Sequence, residues 1–396
     1  MIKLQDLLNR ETNRLYSRFG DITANTLNDA LSTISENYFS EYSNGNPRNL
    51  PHRIQEMIRE KHNTVYPMIK YIIRDGNVSV NANIKRINYT ENKLADIVKF
   101  GDERLTSIFK LIQKALDYAK AHKLPIPNTT LHIWISDRFP WYKNYADSVP
   151  IYVCGKPANT NYLLFPDDTF ECGPKKQKHV NVCYDWDHTK KSIKKYVDKL
   201  HHKIDKIYFK GKATTQNNTD IRENLEEYSK KTHGEWLDIR LDAGDNWQSM
   251  EEFSKYKYLL NLPGHYPWSN RLRYLFLMKS VVINVDVKTV REGKYEDSPW
   301  ISLINYIVRP NIHYHNLVLS YYRFTGHDKE RRKKLNLEEF GKIKHQLSEI
   351  FHAKNKEKNE IMMEKGFDRV NKLKNKHIYM YIYNCIVKNS KFKFSD

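Results

Sequence analysis

Between two apolar runs, KYLLNL at 257–262 and SVVINV at 280–285, the chain carries Ser269, Asn270 and Arg271, with Arg273 close behind. A hydroxyl, an amide and a guanidinium at one turn suit an anion. The guanidinium fork can hold two oxygens of a diphosphate while backbone amides hold others. Leu272, Leu275, Phe276 and Met278 follow at helical spacing, so the stretch reads as strand, loop, helix, strand, with Ser269 as the helix N-cap. Ligands of open α/β sheets sit outside the carboxyl ends of strands, against helix N-termini whose free N–H groups favour an anion. An arginine in the first turn opposes the helix dipole. A bound diphosphate would account for Arg271 there, and so would a surface carboxylate; the spacing leaves both open.

A second unit repeats the pattern. KIYFKGKATT at 206–215 delivers Gly211, Lys212, Thr214 and Thr215 at a strand end, with Arg222 in the helix that follows. Glycine permits close backbone approach, and hydroxyls with cations suit phosphates. The spacing is neither a P-loop nor a dinucleotide-binding glycine fingerprint. Upstream, LHIWISDRFPW at 131–141 reads as a strand running into a loop at Asp137, beside Phe139, Pro140 and Trp141. A carboxylate in that apolar rim suits a general base, and equally an aspartate capping its own turn.

Other clusters are weaker. Asp185-Trp186-Asp187 has the D-x-D shape that can hold a divalent ion, but it precedes a helical run, where aspartate is a good N-cap. Asp167 and Asp168 form another acidic pair. His313 and His315 alternate on an expected strand with no third ligand in view, which favours a structural role. The four cysteines include no C-x-x-C pair.

These residues need a scaffold, and 396 residues suffice for two domains or three. Hydrophobic residues make up 40% of the chain and aromatic residues 13%, enough for real cores. From 185 to 320 strand and helix patterns alternate, the signature of a parallel α/β sheet. Residues 1–65 read as helical. MIKYIIRDGNVSVNANI at 68–84 reads as a hairpin turning at Asp75-Gly76, and Leu105, Ile108, Phe109, Ile112 and Leu116 mark a helix. The last 70 residues read as helical and basic. A net charge of +19 attracts polyanions without choosing among nucleic acid, membrane and phosphorylated ligands. The N-terminus has no apolar core of a signal peptide, and no run of about 18 apolar residues occurs, so a soluble, cytoplasmic protein without a membrane span is expected.

The collinear motifs IYFKGKATT, FSKYKYLLNLPG and SNRLRYLFLMKSVVI resemble those of the family-90 glycosyltransferases, which include protein O-glucosyltransferases, xylosyltransferases and fungal capsule-associated enzymes. LHIWISDRFPW, NYLLFPDDTFECG and the closing EKGFDRVNKLKNKHIYMYIYNCI extend the resemblance over about 65–388. Lys210 stands where the family pattern has arginine, and Lys279 where it has a small or acidic residue. The resemblance implies a GT-B fold, two Rossmann-like domains facing a cleft. Its parts would be an N-terminal helical extension over 1–65, a first, acceptor-side domain over 66–185, a second, UDP-sugar-binding domain over 186–345, and C-terminal helices over 346–396 that return to the first domain.

The resemblance also implies an inverting, metal-independent transfer from a UDP-sugar, with glucose or xylose as the sugar, to a hydroxyl of a glycan or protein. No cofactor beyond the donor substrate is implied. Asp137 would be the general base. Trp268, Ser269, Asn270 and Arg271 would hold the donor with Gly211, Lys212, Thr214, Thr215 and Arg222. The rivals are a basic nucleic-acid-binding protein, against which the dispersed charge speaks, and a non-catalytic relative that binds a nucleotide sugar or glycan.

Overall fold

The computed structural model describes residues 68–81, 102–135, 151–157, 162–171, 185–200, 202–213, 221–242, 250–264, 269, 271–291, 294–296, 300–323, 329–352 and 356–390. The helices expected over 1–65 lie outside the described residues, as do Asp137, Thr214, Thr215, Trp268 and Asn270. The described residues divide into two compact units, one holding 68–171, 185–186 and 373–390, the other 187–372.

The first unit opens with the hairpin read from the sequence. β1 (Met68–Arg74) and β2 (Asn77–Asn81) pair antiparallel, Arg74 opposite Asn77. Asp75 and Gly76 both adopt positive φ, 49° and 72°. Two left-handed residues in a two-residue loop make a type I′ turn, whose twist matches that of the strands. α1 (Asp102–Ala121) buries Ile108, Ile112, Ala115, Leu116 and Ala119, a stripe at helical spacing. β3 (Thr129–Trp134), β4 (Ile151–Val153) and β5 (Leu163–Leu164) complete a sheet of order β2-β1-β3-β4-β5, with β3, β4 and β5 parallel.

The second unit is a doubly wound sheet. α2 (Trp186–Val197) leads into β6 (Ile204–Lys212), followed by α3 (Ile221–Lys231), β7 (Leu237–Asp242), α4 (Met250–Ser254) and β8 (Tyr256–Asn261). Then come α5 (Leu272–Phe276), β9 (Val281–Arg291), a short β10 (Lys294–Glu296) and β11 (His315–Arg323). The order is β7-β6-β8-β9-β11, all parallel, with β10 antiparallel along the end of β9. The chain steps one way from β6 to β7 and the other way to β8, so the switch point lies between β6 and β8. That is where such sheets take ligands. Ile207, Phe209, Leu260, Ile283, Val285 and Leu319 form one face of the core, closed by Ile221 and Leu225 of α3 and by Phe340 and Leu347 of α6 (Lys329–Phe351).

α7 (Lys356–Asn371) packs on β9 and on α5. Helices over 346–372 therefore stay with the second sheet, and the return expected from residue 346 begins at Leu373. There α8 (Asn375–Asn389) lies on α1 and β3, with the Tyr381 hydroxyl donating to the Leu164 carbonyl at 2.7 Å and the Asn389 amide to that of Thr130 at 2.8 Å. Gly366 allows α7 its close approach to α5. A Cβ there would stand 2.7 Å from the His313 carbonyl oxygen and 2.9 Å from the Phe276 ring. Backbone on one side and a buried ring on the other leave no room to yield, so Gly366→Ala should lower stability by about 1–3 kcal/mol, the usual cost of overpacking. A urea melt would read it; an unchanged midpoint would show that the two helices can part freely.

Candidate functional site

At the carboxyl ends of β6 and β8 two guanidiniums converge on one ring. The Phe209 ring has the Arg222 Cζ 5.1 Å from its centre and the Arg271 Cζ at the same distance. Arg271 also lies 5.3 Å from the centre of Phe253, and its Nη1 donates to the Lys210 carbonyl at 2.8 Å. Among the described residues no carboxylate forms an ion pair with it. Of the two explanations for its placement, a described surface carboxylate is thus excluded. Burial, and then the charge of Arg222, hold its pKa down to about 10. Two like charges beside each other, both pressed toward losing their protons, make a crevice that gains by admitting an anion.

Arg222 is tied to the backbone on both sides of the switch point. It is 7% exposed, with Nη1 donating to the Lys212 carbonyl at 2.6 Å and Nη2 to the Pro263 carbonyl at 2.7 Å. Its guanidinium ties the end of β6 to the end of β8 across the switch point. Burial holds its pKa to about 10 against the raising effect of Glu223. Its Nε has no hydrogen-bond partner among the described residues, so one N–H remains to be met.

The helix expected after Ser269 is also corrected. α5 runs only from Leu272 to Phe276, and Arg271, at φ −64° and ψ −33°, occupies the N-cap position without a side-chain cap bond. Ser269 instead accepts from the Arg271 N–H at 3.3 Å, closing a local turn. The reason is packing: Leu272, Tyr274, Leu275, Phe276 and Met278 are all buried, and the chain must turn at Lys279, φ 47°, to enter β9. Five residues align too few peptide dipoles for a strong terminus. The anion preference of this crevice rests on guanidiniums.

Gly211 is where the sequence placed it, at the end of β6. A Cβ on it would meet the Phe209 ring at 2.9 Å and the Arg271 Nη2 at 3.4 Å, so glycine keeps the floor of the crevice open. Lys212 is exposed beside it.

The weaker clusters resolve into structural parts. Trp186 and Asp187 begin α2; the Trp186 indole donates to the Leu373 carbonyl at 2.9 Å, and Asp187 pairs with Lys190 at 3.1 Å. Asp167 accepts from the Thr169 N–H at 3.0 Å, capping a short 3-10 turn. His313 lies in a turn before β11, and its Nδ1 accepts from the Arg309 N–H at 2.9 Å; His315 meets the Asn359 amide oxygen at 2.7 Å. Burial, then Arg369, holds His313 down to about 4.

One feature was missed in the sequence. Asn261, Asn284 and Asn316, on three neighbouring strands, form a hydrogen-bonded row ending at Asp286. The signal was present: YLLNL and VVINV are apolar except for one asparagine each, and a buried strand with a single amide needs a partner for it.

The class that these features define is an α/β protein with a cationic crevice at the switch point of a doubly wound sheet. Residues 132–291, from β3 to the end of β9, match the family model for glycosyl transferase family 90. That match supports the family-90 glycosyltransferase reading and a glycosyl-transfer function. No curated protein matches the chain. No helix among the described residues is long and apolar enough to cross a membrane.

Proposed function

We propose that the protein transfers a sugar, glucose or xylose, from a UDP-sugar to a hydroxyl of a glycan or protein acceptor, with inversion and without a metal ion. The observation that carries this is the Arg271–Phe209–Arg222 arrangement at the switch point, inside the segment that matches the glycosyltransferase family. The leaving UDP gains negative charge on its β-phosphate as the glycosidic bond breaks. A guanidinium already held in place by Lys210 and two aromatic rings can stabilise that charge with little reorganisation. Arg222 holds the strand ends that frame the phosphate and offers its remaining N–H. Asp137, three residues along the chain from the last residue of β3, takes the acceptor proton as the hydroxyl oxygen attacks the anomeric carbon. Trp268, Ser269, Asn270, Lys212, Thr214 and Thr215 complete the donor site, and the enzyme works in the cytoplasm.

The test is UDP release from a panel of UDP-sugars, with and without EDTA. Release from one donor, undiminished by EDTA and reduced to background in Asp137→Asn with UDP affinity kept, is the expected result. Dependence on a divalent ion would overturn the metal-free reading. Absence of UDP binding by the wild type would remove the sugar nucleotide altogether, and salt-sensitive binding of generic nucleic acid would then explain the charge.

A further inference from the structure

The amide row ends at a buried acceptor that has no partner among the described residues. Asn284 on β9 is the register partner of Asn261 on β8 and of Asn316 on β11, so the three side chains share one face of the sheet. Asp286, two residues along β9, is on that face as well. Asn316 donates to the Asp286 Oδ2 at 2.8 Å. Asn284 donates to the Asp286 Oδ1 at 2.9 Å and to the Asn316 Oδ1 at 2.8 Å. Asn261 donates to the Asn284 Oδ1 at 2.7 Å.

The carboxylate fixes the direction of the row. An ionised carboxylate only accepts, so both neighbouring amides must turn their NH2 groups toward it. The Asn284 oxygen then faces Asn261, which must answer with its own NH2. The Asn261 Oδ1 is left at the far end of the row. Asn261 is 3% exposed, and this oxygen has no hydrogen-bond partner among the described residues. A buried acceptor left unmet loses its hydration without return.

Its position ties it to the crevice. Tyr208 and Leu259 are register partners, so two residues further on Lys210 and Asn261 stand level on neighbouring strands. Lys210 is the residue whose carbonyl receives Arg271. Asn261 thus stands on the strand next to the one whose Lys210 carbonyl receives the Arg271 guanidinium. A phosphate would be repelled by an acceptor oxygen backed by a carboxylate. The fitting guest is a neutral donor, a hydroxyl.

We propose that Asn261 is a donor-binding residue, its Oδ1 accepting a hydrogen bond from a hydroxyl of the sugar nucleotide, on the ribose or on the transferred sugar, while the diphosphate lies on Arg271. This rests on the sugar-nucleotide reading above. Asn284, Asn316 and Asp286 are positioning residues, which act by turning Asn261.

Calorimetric titration of the wild type and Asn261→Ala with UDP, 2′-deoxy-UDP, 3′-deoxy-UDP and the UDP-sugar tests it. If the hydroxyl is the ribose's, the wild type should prefer UDP to one deoxy analogue by about tenfold, the worth of one good hydrogen bond, and the variant should not. If it is the sugar's, the gain of the UDP-sugar over UDP should fall by about tenfold in the variant. These ratios cancel any general weakening of the fold. Ratios unaltered by the substitution would overturn the proposal. So would a wild type that shows neither preference, a measurement that needs no variant. A wild type that binds UDP yet fails these comparisons leaves the transferase reading standing; one that binds no uridine nucleotide ends both.

Discussion

Arg271→Ala should lower kcat/KM for the UDP-sugar by about a hundred- to a thousandfold, the usual loss when one preorganised donor to a developing oxyanion is removed. The fold should survive. Among the described residues the side chain makes one hydrogen bond, to the Lys210 carbonyl, and stacks on Phe209 and Phe253, while its charge is opposed by Arg222. Losing the contacts and losing the repulsion offset each other. Arg271→Lys should recover only part of the rate, since an ammonium cannot grip two phosphate oxygens in one plane. Steady-state UDP release with a thermal melt in parallel distinguishes the outcomes. A variant within threefold of wild type would show that the leaving phosphate is held elsewhere. Arg222 cannot serve for this comparison, because it ties β6 to β8 through the Lys212 and Pro263 carbonyls, and its loss would loosen the crevice itself.

What was legible in the sequence was local. Asp75-Gly76 announces its own turn because two left-handed residues in sequence have few other uses. The alternating patterns from 185 to 320 give the parallel sheet because the central strands β8 and β9 carry near-continuous apolar runs and the helices between strands are striped. Gly211 and Arg271 were found for the same reason: each interrupts an apolar pattern at a strand or helix boundary. What was not legible depends on partners far along the chain. The structural part of Arg222 was hidden because nothing in its neighbourhood says that the carbonyls of Leu262 and Pro263, 40 and 41 residues away, will stand in front of it. The amide row exists only once β8, β9 and β11 adopt one register. The shortness of α5 follows from close packing on all sides, whereas the sequence pattern marks only one face.

Asp286 should leave a mark on stability against pH. Burial pushes its carboxyl from 3.8 up to about 6, with the amides of Asn316 and Asn284 pulling the other way. Between about pH 4 and 6 the folded protein therefore holds this proton more tightly than the unfolded chain. The stability it contributes is complete below pH 4 and is lost as pH rises through 6, a change of about 3 kcal/mol. His313 acts oppositely in the same window. Held down to about 4, it resists protonation in the fold, so its contribution is present above its ordinary pKa of 6.5 and lost on acidification. His132 and His315, also held down by burial, act as His313 does, and the raw curve mixes them all; the difference between wild type and Asp286→Asn, by urea unfolding from pH 4 to 7, cancels the histidines. That difference should shift against the wild type by about 3 kcal/mol across the range. A flat difference would mean that the folded carboxyl titrates as it does in water. The same proton bears on the amide row. A protonated Asp286 can donate, which removes the constraint that turns the Asn261 oxygen outward. Affinity for the UDP-sugar should accordingly fall below about pH 6 by more in the wild type than in Asn261→Ala, and titration of both with the UDP-sugar at pH 5 and 7 would separate the two.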